Sequence, residues 1–114
     1  MKGRRAKLAA LERIAGLMLD VRQAELRQAA AARDASLAAL AALDRPAAVP
    51  APETYPVATA QAAIRYEVWA DRRRAEINLT LARQTARLED ARQAAAQAFG
   101  KTEALKTLRR KAGP

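Results

Sequence analysis

The chain has 114 residues, the length of one domain, and 21 Lys and Arg stand against 12 Asp and Glu, a formal net charge of +9. It contains neither Cys nor His. Disulfides, thiolate chemistry, the usual zinc sites and Ser/His or Cys/His nucleophiles are therefore excluded. Ala supplies 32 residues, whereas Leu, Ile, Val and Phe together supply 21. This composition predicts long helices that pack along a narrow seam rather than a broad core.

The first predicted helix covers residues 4–44, which contain no proline and only one glycine. An apolar stripe at helical spacing runs through its first half, and we expect this stripe to be the packing seam: Leu11, Ile14, Met18 and Val21. The stripe then meets the polar residues Glu25 and Gln28. Beyond them a stripe of alanines competes with an offset stripe of leucines, so the register of the second half stays open.

Residues 45–58 are predicted to be a linker, because four of the five prolines lie there and proline cannot propagate a helix. Thr59 is a suitable N-cap for a second helix over residues 59–111. That helix has the clearest seam in the chain, with spacings that alternate between four and three: Ile77, Leu81, Gln84, Leu88, Ala91, Ala95, Ala98, Thr102 and Leu105.

The predicted fold is all-α, with two long helices in an antiparallel coiled-coil hairpin, a Pro-rich connection and a single helical domain over residues 1–114. An intermolecular bundle is the alternative arrangement. The predicted helices contain no window apolar enough for a transmembrane span.

The charge is concentrated near the two ends of the chain. Residues 1–11 and 104–114 each hold four basic and no acidic residues, which together account for most of the net charge. In an antiparallel hairpin both segments meet at one end, and such an end attracts an acidic protein surface, a phosphate backbone or an anionic membrane. Frayed solubilising tails are the plainer interpretation.

An aromatic and basic cluster follows the linker. Tyr66, Trp69 and Arg73 are three or four residues apart and share one helical face. These residue types are enriched in interface hot spots. The plainer alternative is that the two rings pack on the first helix while the arginines are solvated.

Catalytic signatures are absent from the sequence, which contains no phosphate-binding glycine loop, no dinucleotide fingerprint and no metalloprotease or EF-hand pattern. The carboxylates are spread among arginines on helical faces. We therefore expect no enzyme, no catalytic residue, no cofactor, no metal and no small-molecule substrate.

The layout resembles the flagellar export proteins of the FliJ type and their YscO-like relatives in type III secretion. The resemblance rests on the basic residues 1–5, the Ala/Arg/Gln-rich first helix, the interruption and the closing run over residues 98–108. It implies a coiled-coil stalk in the bacterial cytoplasm, peripheral at the inner membrane, that couples an export ATPase to the export gate. Export chaperones are a further class of partner that it implies.

Mapped onto this chain, the resemblance implies two sets of binding residues. The gate-facing residues are Tyr66, Trp69 and Arg73. The residues that face the hexameric export ATPase are Arg4, Arg5, Lys7, Lys106, Arg109, Arg110 and Lys111.

Two other functions stay open. A basic nucleic-acid-associated coiled coil agrees with the pI near 11.0, but the nearly neutral middle of the chain argues against a long phosphate-binding track. A structural bundle or scaffold subunit agrees with the weak alanine-rich seam.

Overall fold

The computed structural model describes residues 2–44 and 56–113. They form two helices, α1 (Lys2–Ala42) and α2 (Pro56–Lys111), and no strand lies within these two ranges. The predicted all-α helical hairpin is thereby confirmed. Residues 45–55, which make up most of the predicted linker, lie outside the described residues.

Both helices begin earlier than the sequence predicts. α1 begins at Lys2 rather than at residue 4 and ends at Ala42, where a tighter turn closes it through bonds from the Leu43 amide to the Leu40 carbonyl (3.2 Å) and from Asp44 to Ala41 (3.1 Å). α2 begins at Pro56, because proline fits the first helical turn, where its missing N–H needs no partner. Thr59 therefore lies inside α2 and does not cap it.

The chain divides into two compact units. Unit 1 comprises Met1–Ala31 and Ala86–Pro114, and unit 2 comprises Ala32–Thr85. In unit 1 the start of α1 contacts the end of α2, so the two segments run antiparallel. In unit 2 the end of α1 contacts the first turns of α2, again in the antiparallel sense.

The seam of α2 is the one that the periodicity predicts. All nine predicted positions are buried or half-buried, from Ile77 at 5% exposure through Leu88 at 4% to Thr102 at 9%. Ala70, two turns before Ile77, is completely buried. The alternating spacing of four and three keeps these positions on one stripe that faces α1.

The seam predicted for the first half of α1 is wrong. Leu11, Ile14, Met18 and Val21 are each about half exposed, at 49–55%. A different stripe faces α2, and each of its members is buried or half-buried: Leu8, Glu12, Ala15, Leu19, Arg22, Leu26, Ala29, Arg33, Ser36, Leu40 and Leu43.

The physical reason lies in the continuity of the two stripes. The observed seam keeps its four-three spacing along the whole of α1 and includes Leu26, Leu40 and Leu43. The exposed stripe loses its apolar character at Glu25 and Gln28. The buried stripe of this 41-residue helix contains charged residues, but it carries large apolar side chains from Leu8 to Leu43, whereas the exposed stripe carries none beyond Val21.

Candidate functional site

Two contacts join the basic segments in unit 1. The Arg5 guanidinium donates from Nε to the Gly113 carbonyl oxygen at 3.1 Å, and its Nη2 donates to the same oxygen. Arg109 donates from Nη1 to Oε2 of Glu12 at 3.1 Å. Residues 4–7 and 106–111 therefore form one surface, which we call the basic end.

The backbone conformation of Gly113 orients the carbonyl oxygen that accepts hydrogen bonds from Arg5. Its φ of +74° lies in the left-handed region, which glycine adopts without a steric penalty and which commonly follows the last turn of a helix. The amides of Ala112 and Gly113 close this turn on the carbonyls of Leu108 (2.9 Å) and Arg110 (3.3 Å). The Gly113 carbonyl is thus held in place for the Arg5 side chain.

The remaining cations of the basic end differ in their partners. Lys106 pairs with Glu103 at 3.4 Å, and Arg110 donates from Nη2 to the Thr107 hydroxyl at 3.3 Å. Besides Arg5, which donates to the Gly113 carbonyl oxygen, four cations of the basic end have no carboxylate within ion-pair distance among residues 2–44 and 56–113: Arg4, Lys7, Arg110 and Lys111. All four are exposed. The basic end therefore presents uncompensated positive charge to solvent.

Glu12 is the acidic residue that sequence reasoning missed at this end. Its side chain is 17% exposed and lies in the α1 seam. Only its Oε2 is paired, with Arg109, whereas Oε1 is buried without a hydrogen-bond partner. A carboxylate within an otherwise apolar run of seam positions was the available signal, but it could be read only after the seam of α1 was known.

The aromatic cluster lies where α1 ends in unit 2. Tyr66 is half-buried and donates its hydroxyl to the Leu43 carbonyl oxygen at 3.4 Å. The Trp69 ring lies 5.7 Å from the Tyr66 ring, tilted by 40°, and is 54% exposed. Arg73 is exposed and pairs with Glu76 at 3.2 Å. The structure thus joins Tyr66 and Trp69, while Arg73 has its own acidic partner.

Arg74, which sequence reasoning passed over in favour of Arg73, links the two helices in unit 2. Its guanidinium contacts Asp71 at 2.8 Å, Asp44 at 3.3 Å and the Leu43 carbonyl oxygen at 3.5 Å. A cation at the carboxyl end of α1 also interacts favourably with the helix dipole. Of the two adjacent arginines, Arg74 and not Arg73 has a partner on the other helix.

Two kinds of site are not found in the described part of the chain. Across residues 2–44 and 56–113, no group of three acidic side chains is arranged to hold a metal ion. Neither α1 nor α2, as described, has a stretch both long and apolar enough to cross a membrane.

No protein-family model matches the sequence, and no curated protein or solved structure is significantly similar to it.

Proposed function

We propose that this chain is a non-enzymatic stalk or escort component of a flagellar or type III protein export apparatus. In this proposal the basic end docks into the ring of the export ATPase, and the region around Tyr66 and Trp69 contacts the export gate. The observation that carries the proposal is the meeting of residues 4–7 and 106–111 on one surface of unit 1.

The electrostatics of the basic end support an acidic protein partner. Exposed like charges repel one another, and a surface of opposite charge relieves that repulsion while it accelerates encounter. Arg4 and Lys7 lie at the start of α1 and Arg110 and Lys111 at the end of α2, and none of the four has an acidic partner among the described residues. A compact group of cations at one end of two paired helices suits an acid-lined opening better than a long phosphate track.

The aromatic pair supports a second contact. Tyr66 is anchored by the Leu43 carbonyl, and Trp69 stacks against it with about half of its surface exposed. An anchored ring beside an exposed indole is preorganised for an interface, and tryptophan is the residue type most enriched in hot spots. The gate contact therefore depends mainly on Trp69.

Binding to the export ATPase tests the first contact. The full chain is titrated with the purified ATPase encoded in the same genome, at low and at physiological salt. Replacing Arg4, Lys7, Arg110 and Lys111 by glutamine is expected to weaken binding at least about tenfold at low salt and to reduce its salt dependence.

A control variant of equal net charge makes the test specific. In this control, four exposed arginines outside the basic end are replaced by glutamine, namely Arg65, Arg72, Arg83 and Arg87. The control is expected to bind the ATPase like the parent. Equal binding by the parent and the basic-end variant would refute the docking role. Equal loss in both variants would mean that only the overall charge matters. Salt-sensitive binding of duplex DNA, lost in the basic-end variant alone and without ATPase binding, would favour a nucleic-acid partner.

The aromatic contact is tested with the purified cytoplasmic domain of the export gate. Trp69→Ala is expected to weaken that complex at least about tenfold, in the range of an interface hot spot, and to leave ATPase binding unchanged. Leu79→Ala, at another exposed apolar position of unit 2, is the control. Gate binding that survives Trp69→Ala would remove this part of the proposal.

A further inference from the structure

The apolar stripe on α1 is left without a partner in the folded chain. Leu11, Ile14, Met18 and Val21 are about half exposed, and neighbouring Leu17 is 66% exposed. They lie within three turns of one helix, at spacings of three and four residues. Contiguous large apolar side chains on a surface commonly mark an interaction site.

A groove in unit 1 adjoins the stripe. It has a volume of about 450 Å³ and is lined by Leu11, Ile14 and Met18 of α1 and by Ala98 and Leu105 of α2. Alanines on the α2 side leave room between the helices. A second helix on the stripe can therefore insert side chains into this groove as well as cover the stripe itself.

The residues at the two ends of the stripe indicate what covers it. The same helical face begins with Arg4 and Lys7 and ends with Glu25 and Gln28. Lys7 and Glu25 are equally far along the helix from Gly16, on opposite sides of it. The same relation holds for Leu11 with Val21 and for Ile14 with Met18.

We propose that a second copy of this chain covers the stripe, with the two α1 helices antiparallel about a two-fold axis at the level of Gly16. In this dimer Leu11 faces Val21 of the second copy, and Ile14 faces Met18 of the second copy. Lys7 faces Glu25 of the second copy, and the symmetry makes that pair twice. The face is therefore complementary to itself in both apolar character and charge.

The charges also exclude the parallel alternative. A parallel pair in register would set Lys7 against Lys7 and Glu25 against Glu25, and like charges at such positions are destabilising. Lys7 has no ion pair among the described residues, and Glu25 contacts only Arg22 of its own helix, at 3.1 Å. Both side chains are exposed and available to a second copy.

The thin core of the single chain favours the same arrangement. The large apolar side chains that are buried among the described residues are Leu43, Ile77 and Leu88. A pair of helices with so few buried groups gains stability by burying a second face. Packing two α1 helices supplies that face, as in a four-helix bundle.

The dimer is independent of the proposed export function, because it is measured on the purified chain alone. The two are linked at one residue, since Lys7 belongs both to the basic end and to the dimer face. Docking of the basic end on an acidic partner and formation of the dimer therefore compete for this side chain.

Sedimentation equilibrium of the full chain over micromolar concentrations tests the dimer. The parent is expected to show a reversible monomer–dimer equilibrium. Ile14→Glu and Met18→Glu are each expected to raise the dimer dissociation constant about a hundredfold, because each places a carboxylate in the apolar contact. Circular dichroism is expected to show the parent's helix content in both variants, since both positions are half exposed in the single chain.

Leu79→Glu, at an exposed position of unit 2, is the matched control and is expected to dimerise like the parent. A parent that stays monomeric throughout, or a control that dissociates as strongly as the stripe variants, would overturn the proposal.

A charge exchange tests the antiparallel register. Lys7→Glu and Glu25→Lys are each expected to weaken the dimer about tenfold, because each creates two like-charge contacts. The double variant is expected to recover most of the parent affinity. A double variant as weak as either single variant would overturn the antiparallel arrangement.

Discussion

The first half of α1 and the second half of α2 pack together in unit 1, and each carries one conspicuous apolar stripe. In α2 the stripe through Leu88, Ala95 and Thr102 faces α1 and is buried. In α1 the stripe from Leu11 to Val21 faces solvent, and Leu8, Ala15 and Leu19 take its place in the contact.

This difference shows that the size of the apolar side chains does not decide which face a helix buries against its neighbour. Most seam positions of α2 in unit 1 between Leu88 and Leu105 hold Ala or Thr, and such small residues allow close approach of the backbones. On the inner face of α1, Leu and Ala share a continuous four-three spacing with the charged residues Glu12 and Arg22. The larger stripe is left for another partner, for which the antiparallel second copy is our proposal.

The largest expected effect separates the two stripes directly. Leu88→Ala removes a side chain that is 4% exposed and is expected to lower the free energy of unfolding by about 3 kcal/mol. Leu11→Ala makes the same chemical change at 49% exposure and is expected to cost about 0.5 kcal/mol in dilute solution, where the chain is monomeric. Urea unfolding of both variants measures the difference. Equal losses would mean that the stripe of α1 is part of the core.

The next largest effect on the free energy of unfolding is expected at Arg74, and its neighbour Arg73 provides the comparison. Arg74 is 28% exposed and contacts Asp44 and the Leu43 carbonyl across the hairpin, whereas Arg73 pairs only with Glu76 of its own helix. Arg74→Gln is therefore expected to lower the free energy of unfolding by about 1 kcal/mol, and Arg73→Gln by about 0.3 kcal/mol. Thermal unfolding at low and at high salt measures both losses. A larger loss at Arg73 would contradict the assignment of the inter-helix contact to Arg74.

A similar effect of opposite sign is expected at Glu12, the polar interruption of the α1 seam. One of its carboxylate oxygens is buried without a partner, and the other pairs with Arg109, which is 57% exposed. Glu12→Leu exchanges this arrangement for apolar packing beside Leu8 and Ala15 and is expected to stabilise the fold by about 1 kcal/mol. Chemical unfolding measures the gain. A loss of similar size would show that the Glu12–Arg109 pair holds the helices together.

The smallest effect concerns a glycine inside α2. A Cβ added at Gly100 meets no atom within 4 Å, and the helix continues through this position. Gly100→Ala is expected to stabilise the fold by about 0.7 kcal/mol, since alanine loses less backbone entropy in a helix. The midpoint of thermal unfolding is expected to rise accordingly. An unchanged or lowered midpoint would mean that the outer surface of α2 at this position is already in contact with another group.

The sequence predicts the helical hairpin well, because helix propensity and clustered prolines are local properties that need no knowledge of the partner. The seam of α2 is predictable for the same reason, since only one stripe from Ile77 to Leu105 keeps its spacing. The seam of α1 is not, because two stripes compete and the pairing with α2 decides between them. Its charged members, Glu12, Arg22 and Arg33, hide it from a search for apolar periodicity.

Some features of the candidate site are likewise predictable from the sequence, and others are not. An antiparallel hairpin is enough to bring the two basic segments together, so their common surface follows from the fold class and the charge pattern. The contacts that fix this surface join residues far apart in sequence, as in Arg5 with Gly113 and Arg109 with Glu12. Likewise, only the position of the Leu43 carbonyl distinguishes Arg74 from Arg73. Such partners depend on axial register, which residue spacing within one helix does not specify.

The antiparallel pairing of α1 and α2 within one molecule is the central claim, and a distance between spin labels tests it most directly. Ala9 and Lys106 line one groove of unit 1, and the chain has no native cysteine, so Ala9→Cys and Lys106→Cys provide two unique labelling sites. The doubly labelled protein is diluted with excess unlabelled protein, which removes distances between copies. Because packed helix axes lie about 8–10 Å apart, the pairing predicts a single distance of about 20 Å or less. A broad distribution centred at a much longer distance under the same dilution would contradict it.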